Sequence, residues 1–156
     1  MSTLLVVHHT PSPATRELLE GVLAGARDPE ITGVDVVVRP ALAATVSDLL
    51  GADGYLFGTP ANFGYMSGAL KHFFDTVYYP VLDYVAARPY GLWVHGNNDT
   101  AGAVTAVERI AGGLALVRSA DTPRGDGRRR CRRAGEGLPI GRHPGSPADE
   151  MRQSCP

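Results

Sequence analysis

Short apolar runs alternate with segments of helical periodicity along the first 120 residues. The unbroken apolar run from Leu4 to Val7 is typical of a central parallel strand that is covered on both faces. Ser12 and Pro13 follow, and these residue types are favoured at the N-cap and the first position of a helix. A helical apolar stripe comes next, formed by Leu18, Leu19, Val22, Leu23 and Ala26. The pattern therefore predicts a strand followed by an amphipathic helix.

The same alternation continues to about residue 120. Further strands are predicted at Val34–Val38, Gly54–Gly58, Tyr90–His95 and Leu114–Val117. Further helices are predicted at about Val46–Leu50, from Leu70 to Val77, and from Val104 to Ile110. Gly58 to Gly68 is interpreted as a polar loop, and Pro80 is expected to end or kink the third helix. Strands that alternate with helices imply a parallel sheet with right-handed crossovers, so the predicted fold is a doubly wound, five-stranded α/β domain.

Length and composition narrow the class of protein. The chain has 156 residues, of which 44% are apolar and 20% charged, as in one ordinary globular domain. Apolar stretches fall far short of the roughly 20 residues that span a bilayer, and no signal peptide is recognised, so a cytoplasmic protein without a membrane partner is expected. Residues 1–120 contain no cysteine, which agrees with that compartment. The net charge of −1 argues against nucleic acid as a partner.

Residues 121–156 differ in composition from the rest of the chain. Residues 1–120 carry 7 Lys and Arg against 11 Asp and Glu, whereas residues 121–156 carry 8 Arg against 5 Asp and Glu. No helical apolar stripe can be drawn through this Arg/Gly/Pro-rich tail. Domain boundaries are therefore placed at 1–120 for the folded domain and 121–156 for the tail.

Three interpretations of the tail remain open. Five arginines within residues 128–133 suit a basic arm for nucleic acid or anionic lipid. A natural disordered extension is the second interpretation. The third, our working hypothesis, is an out-of-frame translation of GC-rich coding sequence. In that case an apolar face near the fifth strand stays uncovered, which predicts lower stability and a surface prone to self-association, including a homo-oligomer.

Ligands of doubly wound sheets bind outside the carboxyl ends of the strands. The loops after the first, third and fourth predicted strands are therefore the candidate sites. The first loop carries hydroxyl groups at Thr10, Ser12 and Thr15 at the start of a helix. Hydroxyls, free N–H groups and the positive helix end can hold a phosphate without a cation, although helix capping explains the same residues. The loop contains neither a P-loop nor a Gly-x-Gly-x-x-Gly sequence.

The second loop, residues 58–68, is rich in glycine and polar groups. Glycine lets the backbone approach a flat ligand, Asn62 and Ser67 offer hydrogen bonds, and aromatic faces at Phe63 and Tyr65 offer about 1 kcal/mol each in stacking. An alternative assigns Ser67 to helix capping and Phe63 to the core. Capping accounts for Ser67 but not for the density of polar groups around it.

A resemblance to a known family rests mainly on this second loop. The second flavin loop of flavodoxin-like NAD(P)H-dependent FMN and quinone reductases is similar to Thr59-Pro60 through Ser67-Gly68-Ala69-Leu70-Lys71, with Phe73, Phe74 and Asp75. The family's first loop, which holds the FMN phosphate, resembles residues 10–15, except that Pro13 replaces a glycine and Pro11 removes another N–H. Residues 96–100 resemble the third loop, at the pyrimidine edge of the flavin. The similarity covers about residues 4–120.

The resemblance implies a flavodoxin-like fold with strand order 2-1-3-4-5 and an oxidoreductase in which FMN carries the chemistry. It also implies a final helix after the fifth strand, and this last helix is missing from the pattern of residues 121–156. NAD(P)H is the implied electron donor, and a quinone or another flavin is the implied small-molecule acceptor. The implied flavin contacts are Thr10, Ser12, Ala14, Thr15, Thr59, Pro60, Ala61, Asn62, Phe63, Gly64, Ser67, His95, Gly96, Asn97, Asn98 and Asp99. Because the cofactor carries the reaction, no catalytic side chain and no metal site is expected.

Two other functions remain as alternatives. An electron-carrier flavodoxin would bind FMN without a nicotinamide site, and the excess of acidic residues in the first 120 gives it some support. A flavin-free binding module would keep the fold but lose the phosphate site through Pro11 and Pro13. His8, His9 and His95 lie near strand ends, where hydrogen bonding explains them without a catalytic role.

Overall fold

The computed structural model describes residues 1–97 and 99–119, together with the backbone of residues 124–126. The helices are α1 (Pro13–Ala26), α2 (Val46–Leu50), α3 (Gly68–Val81) and α4 (Ala101–Gly113). The strands are β1 (Ser2–His8), β2 (Val34–Pro40), β3 (Gly54–Asn62), β4 (Tyr65–Met66), β5 (Pro89–Gly96), β6 (Val117–Arg118) and β7 (Arg124–Asp126). The predictions for Asn98 and for residues 120–123 and 127–156 lie outside the described residues.

The main sheet is parallel and has the order β2-β1-β3-β5-β6. Because β5 and β6 are the fourth and fifth strands of the sequence prediction, the predicted fold class and strand order are confirmed. β7 also pairs in parallel with β5, opposite Val94 to Gly96. The sheet therefore extends into the segment that the sequence analysis assigned to the tail.

The predicted position of the fifth strand, Leu114 to Val117, is wrong. Leu114 N–H donates to the Ile110 carbonyl and Leu116 N–H to the Ala111 carbonyl, so the chain turns back on the end of α4. Ala115 adopts a φ of 54° in this turn. Leu114 and Leu116 are apolar because they pack on the core at the helix end, and pairing with β5 starts only at Val117.

The loop predicted at residues 58–68 is also partly wrong. β3 runs on to Asn62, where Thr59 and Pro60 pair with Val94 and His95 of β5. β4 then folds back antiparallel onto the end of β3, with Asn62 opposite Tyr65. The polar end of β3 and the two-residue turn have the same composition as a loop. The sequence pattern therefore does not distinguish this hairpin from a loop.

The two faces of the sheet are covered unequally. One face packs against α2, α3 and α4, and an aromatic cluster fills that layer: Tyr55, Phe57, Phe73, Phe74 and Tyr90. The other face carries α1, whose apolar stripe is only half-buried, and Thr15 is its one fully buried residue. At the amino edge of the sheet a cavity of about 340 Å³ opens beside Leu4, Ala26 and Val34. The second face is thus the less protected half of the domain.

Two glycines allow large side chains to pack closely on this second face of the sheet. A Cβ at Gly58 would overlap the indole ring of Trp93, and a Cβ at Gly91 would lie 2.6 Å from a methyl group of Leu56. Trp93 of β5 therefore lies over β3, and Leu56 of β3 lies over β5. This reciprocal packing buries the Trp93 side chain to 4% exposure.

Candidate functional site

The first loop at the carboxyl edge of the sheet is closed by a capping box. Ser12 is the N-cap of α1, and its hydroxyl accepts a hydrogen bond from the Thr15 N–H at 3.3 Å. The Ser12 N–H donates in return to the Thr15 hydroxyl at 3.1 Å. Thr15 is only 1% exposed, and its own hydroxyl donates to the Ser12 carbonyl at 2.8 Å. Thr15 therefore orders the loop from within, whereas Ser12 and Ala14 lie nearer its surface.

Thr10 is held by the histidine that ends β1. His8 Nδ1 lies 3.1 Å from the Thr10 hydroxyl, and both residues are half-buried. Burial and the neighbouring His9 lower the pKa of His8 below its ordinary value of 6.5. A neutral His8 with its proton on Nδ1 would donate to the Thr10 oxygen, which leaves the Thr10 O–H free to donate outward.

The second loop is a tight hairpin with an aromatic residue at its tip. Phe63 and Gly64 connect β3 to β4 with φ values of 53° and 71°, the left-handed pair of a type I′ turn. Phe63 is fully exposed, so the alternative that placed its ring in the core is wrong. A bulky residue in the left-handed region is uncommon and costs about 1–3 kcal/mol. Asn62 and Tyr65 on either side are exposed as well.

The hairpin tip packs directly on the third loop. A Cβ at Gly102, in the first turn of α4, would overlap the carbonyl oxygen of Gly64. A Cβ at Gly64 would lie 3.2 Å from Asp99 Oδ2. Asp99 Oδ1 accepts hydrogen bonds from the N–H groups of Ala101 at 2.9 Å and Gly102 at 3.4 Å, so Asp99 caps α4. The structure thus brings Gly64, in the turn of the hairpin, next to Asp99.

The base of the hairpin is tied to the sheet and to α3 by buried hydroxyls. Thr59 is fully buried; its hydroxyl accepts from the Ser67 N–H at 2.9 Å and donates to the Pro60 carbonyl at 2.8 Å. Ser67, also fully buried, caps α3 by accepting from the Leu70 N–H. Thr59 and Ser67 therefore support the loop from the interior, and their hydroxyl groups do not lie on its open side.

The third loop follows β5 and touches the hairpin base. A Cβ at Gly96 would lie 2.8 Å from the Ala61 Cβ, so only glycine allows β5 and β3 to meet there. His95 is half-buried and Asn97 is exposed. Two buried nitrogens lack a hydrogen-bond partner among the described residues, His9 Nδ1 and Trp93 Nε1. Both residues contact Gly58. The His9 N–H donates to the Gly58 carbonyl, and the indole ring of Trp93 packs on the Gly58 α-carbon.

Sequence reasoning missed Gly102, which allows the close approach between the hairpin and α4. The available signal was a glycine two residues before the helix predicted from Val104. Arg16 lies next to the first loop, with Nε 3.5 Å from the Ser12 carbonyl oxygen.

The donor set of these loops fits FMN. Ser12 caps α1 and Ala14 is its second residue, so the Ser12 hydroxyl and the Ala14 N–H lie at the positive end of the helix. The Thr10 hydroxyl precedes them by two to four residues, and this set of groups is the chemistry a phosphate requires. At the hairpin, Asn62 is exposed and Gly64 is half-buried, which leaves polar groups of Asn62 accessible to a flat polar ring. Pro11 and Pro13 contribute no N–H, so the phosphate depends on side chains more than on backbone.

No helix among the described residues is long and apolar enough to cross a membrane. In the same part of the chain no three His, Cys, Asp or Glu side chains are grouped closely enough to hold a metal ion.

Comparison with known proteins identifies the class. The family model described as NADPH-dependent FMN reductase matches residues 16–120, so the chain belongs to this family. The match begins just after the first loop, and the hairpin and third loop lie inside it. Membership confirms the predicted family and, at the family level, FMN as its cofactor.

Individual relatives agree with this class. A flavodoxin from Aquifex aeolicus is 39% identical over 77 residues, which are 49% of this chain and 40% of that protein. An NAD(P)H dehydrogenase (quinone) from Geobacter sulfurreducens is 32% identical over 92 residues, 59% of this chain and 36% of that protein. The chain thus spans about two fifths of the length of these relatives. The solved flavodoxin of Streptococcus pneumoniae shares the fold, with a TM-score of 0.65 at 20% identity, covering 80% of this chain and 85% of that one.

Proposed function

We propose that this protein is an FMN-dependent oxidoreductase that passes electrons from NAD(P)H to a quinone or flavin acceptor in the cytoplasm. The observation that carries the proposal is the contact between the Phe63–Gly64 turn and the start of α4, where Asp99 accepts hydrogen bonds from the helix N–H groups. The hydroxyl groups at the start of α1 lie at the same edge of the sheet. The loops after β1 and β3 follow adjacent strands of the sheet, and this placement supports a phosphate site in the first loop and a ring site at the hairpin. Family membership supplies the reaction class.

Each loop has a separate part in this proposal. Thr10, Ser12 and Ala14 would hold the phosphate, with Thr15 fixing the loop beneath them. Backbone from Pro60 to Gly64 would border the flavin ring, and residues 95–99 would contact its pyrimidine edge. When bound, FMN supplies reversible hydride and electron transfer, so the protein contributes binding, orientation and electrostatics.

A second candidate is an electron-carrier flavodoxin, which the 39% identity to the Aquifex aeolicus flavodoxin favours. Both functions need the same FMN site, but only the reductase needs access for a nicotinamide. Reduction of the bound flavin by NADH or NADPH therefore separates the two.

The experiment is an equilibrium titration of purified protein with FMN, followed by NAD(P)H oxidation assays with menadione as acceptor. The lone tryptophan of the chain, Trp93, reports binding because it lies over β3 near the first loop, where flavin quenches its fluorescence. We expect saturable FMN binding and menadione-dependent NAD(P)H oxidation. Absence of FMN binding would favour a flavin-free module, and binding without NAD(P)H oxidation would favour the electron carrier.

A further inference from the structure

The apolar cavity at the amino edge of the sheet lies at the opposite end of the strands from the proposed flavin site. Its volume is about 340 Å³. Four strands contribute to its lining near their amino ends, at Leu4, Val34, Gly54 and Pro89, and α1 contributes its last residue, Ala26. The cavity is therefore separate from the three loops assigned to FMN.

The lining of the cavity favours an occupant that is mainly apolar. The Ser2 N–H already donates to the Gly33 carbonyl at 2.9 Å. The Thr3 N–H donates to Asp53 Oδ2, and the Asp53 N–H donates to the Thr3 carbonyl, both at 2.8 Å. Ile31, which also lines the cavity, is 50% exposed, so an occupant that covers it removes apolar surface from water. The gain on binding would thus come from burial rather than from the backbone.

The charge at the cavity is negative. Asp53 is the one ionisable side chain among the residues that line it, and its carboxylate is exposed. Asp53 Oδ2 accepts the bond from Thr3, whereas Oδ1 has no hydrogen-bond partner among the described residues. Arg88 lies next to the cavity in sequence, but its guanidinium donates to the backbone carbonyls of residues 49, 50 and 52. The free carboxylate oxygen therefore favours a cation over an anion.

We propose that this cavity binds a compact aromatic amine, with its rings against the apolar lining and its ammonium group beside Asp53 Oδ1. A dry cavity of about 150 Å³ holds one benzene ring, so twice that volume suits two fused rings. Small-molecule sites have volumes of about 300–1,000 Å³, and this cavity is at the lower end of that range. The site is independent of the flavin, and the proposal goes beyond the oxidoreductase function.

The test uses naphthalene compounds of similar size and different charge: 1-naphthylmethylamine, 1-naphthalenemethanol and 1-naphthoate. Kd values are measured by equilibrium dialysis against the full chain, and amide NMR spectra locate the bound compound. We expect the amine to bind most tightly and naphthoate most weakly, with shifts of the Val34 and Gly54 amide signals. Asp53→Asn should weaken the amine about threefold and leave the alcohol unchanged, because an exposed ion pair contributes modestly.

Two variants of the lining locate the site. Ala26→Phe places a ring in the cavity and should weaken all three compounds by about tenfold or more. Ala24→Phe is the matched control, because Ala24 belongs to the same helix, is exposed and does not line the cavity. Ile31→Ala removes part of the lining at an exposed position, so it leaves the core intact, and it should weaken the amine about threefold. FMN affinity should be the same in all these variants.

The alternatives give different results. Absence of binding by all three compounds, or affinities that neither Ala26→Phe nor Ile31→Ala changes, would overturn the proposal. Equal affinities for the amine and for naphthoate would overturn the assignment of an amine. Analytical ultracentrifugation is carried out in parallel. Self-association of the wild type that Ala26→Phe abolishes, without binding of any compound, would assign the cavity to a second copy of this chain and overturn the proposal.

Discussion

The carbonyl oxygen of Gly64 lies against the α-carbon of Gly102, so closely that any side chain at position 102 would overlap it. This contact joins the β3–β4 hairpin to the first turn of α4. The two loops therefore form one surface, and the Asp99 cap lies at their junction. Gly64 and Gly102, which are 38 positions apart in sequence, thus lie together at the part of the proposed site that would border the flavin ring.

Gly102→Ala should lower stability and FMN affinity together. Its methyl group forces the hairpin away from α4, and overpacking of this kind costs about 1–3 kcal/mol. Gly112→Ala in the same helix is the control, because a Cβ there meets nothing within 4 Å. The control should be neutral or stabilising by about 0.5–1 kcal/mol. Chemical denaturation and FMN titration check both; equal behaviour of the two variants would refute the contact.

Phe63→Asn should change stability and binding in opposite directions. Asn tolerates the left-handed conformation and precedes glycine in favoured type I′ turns, so we expect a gain of about 1 kcal/mol. Loss of the exposed ring should weaken FMN several-fold, since an aromatic contact is worth about 0.5–1.5 kcal/mol. Tyr84→Asn, which removes an exposed ring elsewhere, serves as control. If Phe63→Asn left FMN affinity intact, the ring would have no part in flavin binding.

Ser12→Ala should separate the cap from the phosphate site. Loss of the N-cap should cost about 1 kcal/mol of stability. Loss of a charge-assisted hydrogen bond should weaken FMN by about tenfold, while riboflavin should bind both proteins alike. Thr45→Ala is the matched control, because Thr45 and Asp48 form the same capping box at α2. Thr45→Ala should lose a comparable amount of stability, and its affinities for FMN and riboflavin should both stay unchanged. If Ser12→Ala behaved in the same way, Ser12 would act only as a helix cap.

Several of these features could be predicted from the sequence because they depend on neighbouring residues. Ser12 and Pro13 marked the start of α1, and the bounds of α2 agree with the prediction at both ends. The alternation of strands and helices predicted the parallel α/β class, and the family resemblance implied the strand order. Local patterns thus predicted the fold class and the starts of α1 and α2.

The remaining features depend on contacts between distant residues. Phe63-Gly64 has loop composition, and only pairing of Asn62 with Tyr65 makes it a hairpin. Leu114 and Leu116 look like a strand because burial at a helix end needs the same apolar side chains. The function of Gly102 appears only when α4 meets the hairpin.

Stability should depend on pH through His8. Its pKa is lowered from 6.5 by burial and by His9, so the unfolded chain binds more protons between the folded pKa and 6.5. The contribution of His8 is therefore fully present above pH 6.5 and is lost as the pH falls through the folded pKa. His8→Asn should flatten the rise in unfolding free energy that occurs as the pH increases toward 6.5. An unchanged pH profile would show that His8 titrates normally in the folded protein.

An anaerobic reductive titration of the FMN-loaded protein tests the central claim most directly. The protein is mixed stepwise with NADPH or NADH while the visible flavin absorbance is recorded, and menadione is then added. We predict stoichiometric bleaching of the bound flavin by at least one nucleotide and recovery of the absorbance with menadione. Bound flavin that stays oxidised with both nucleotides would contradict the proposed oxidoreductase.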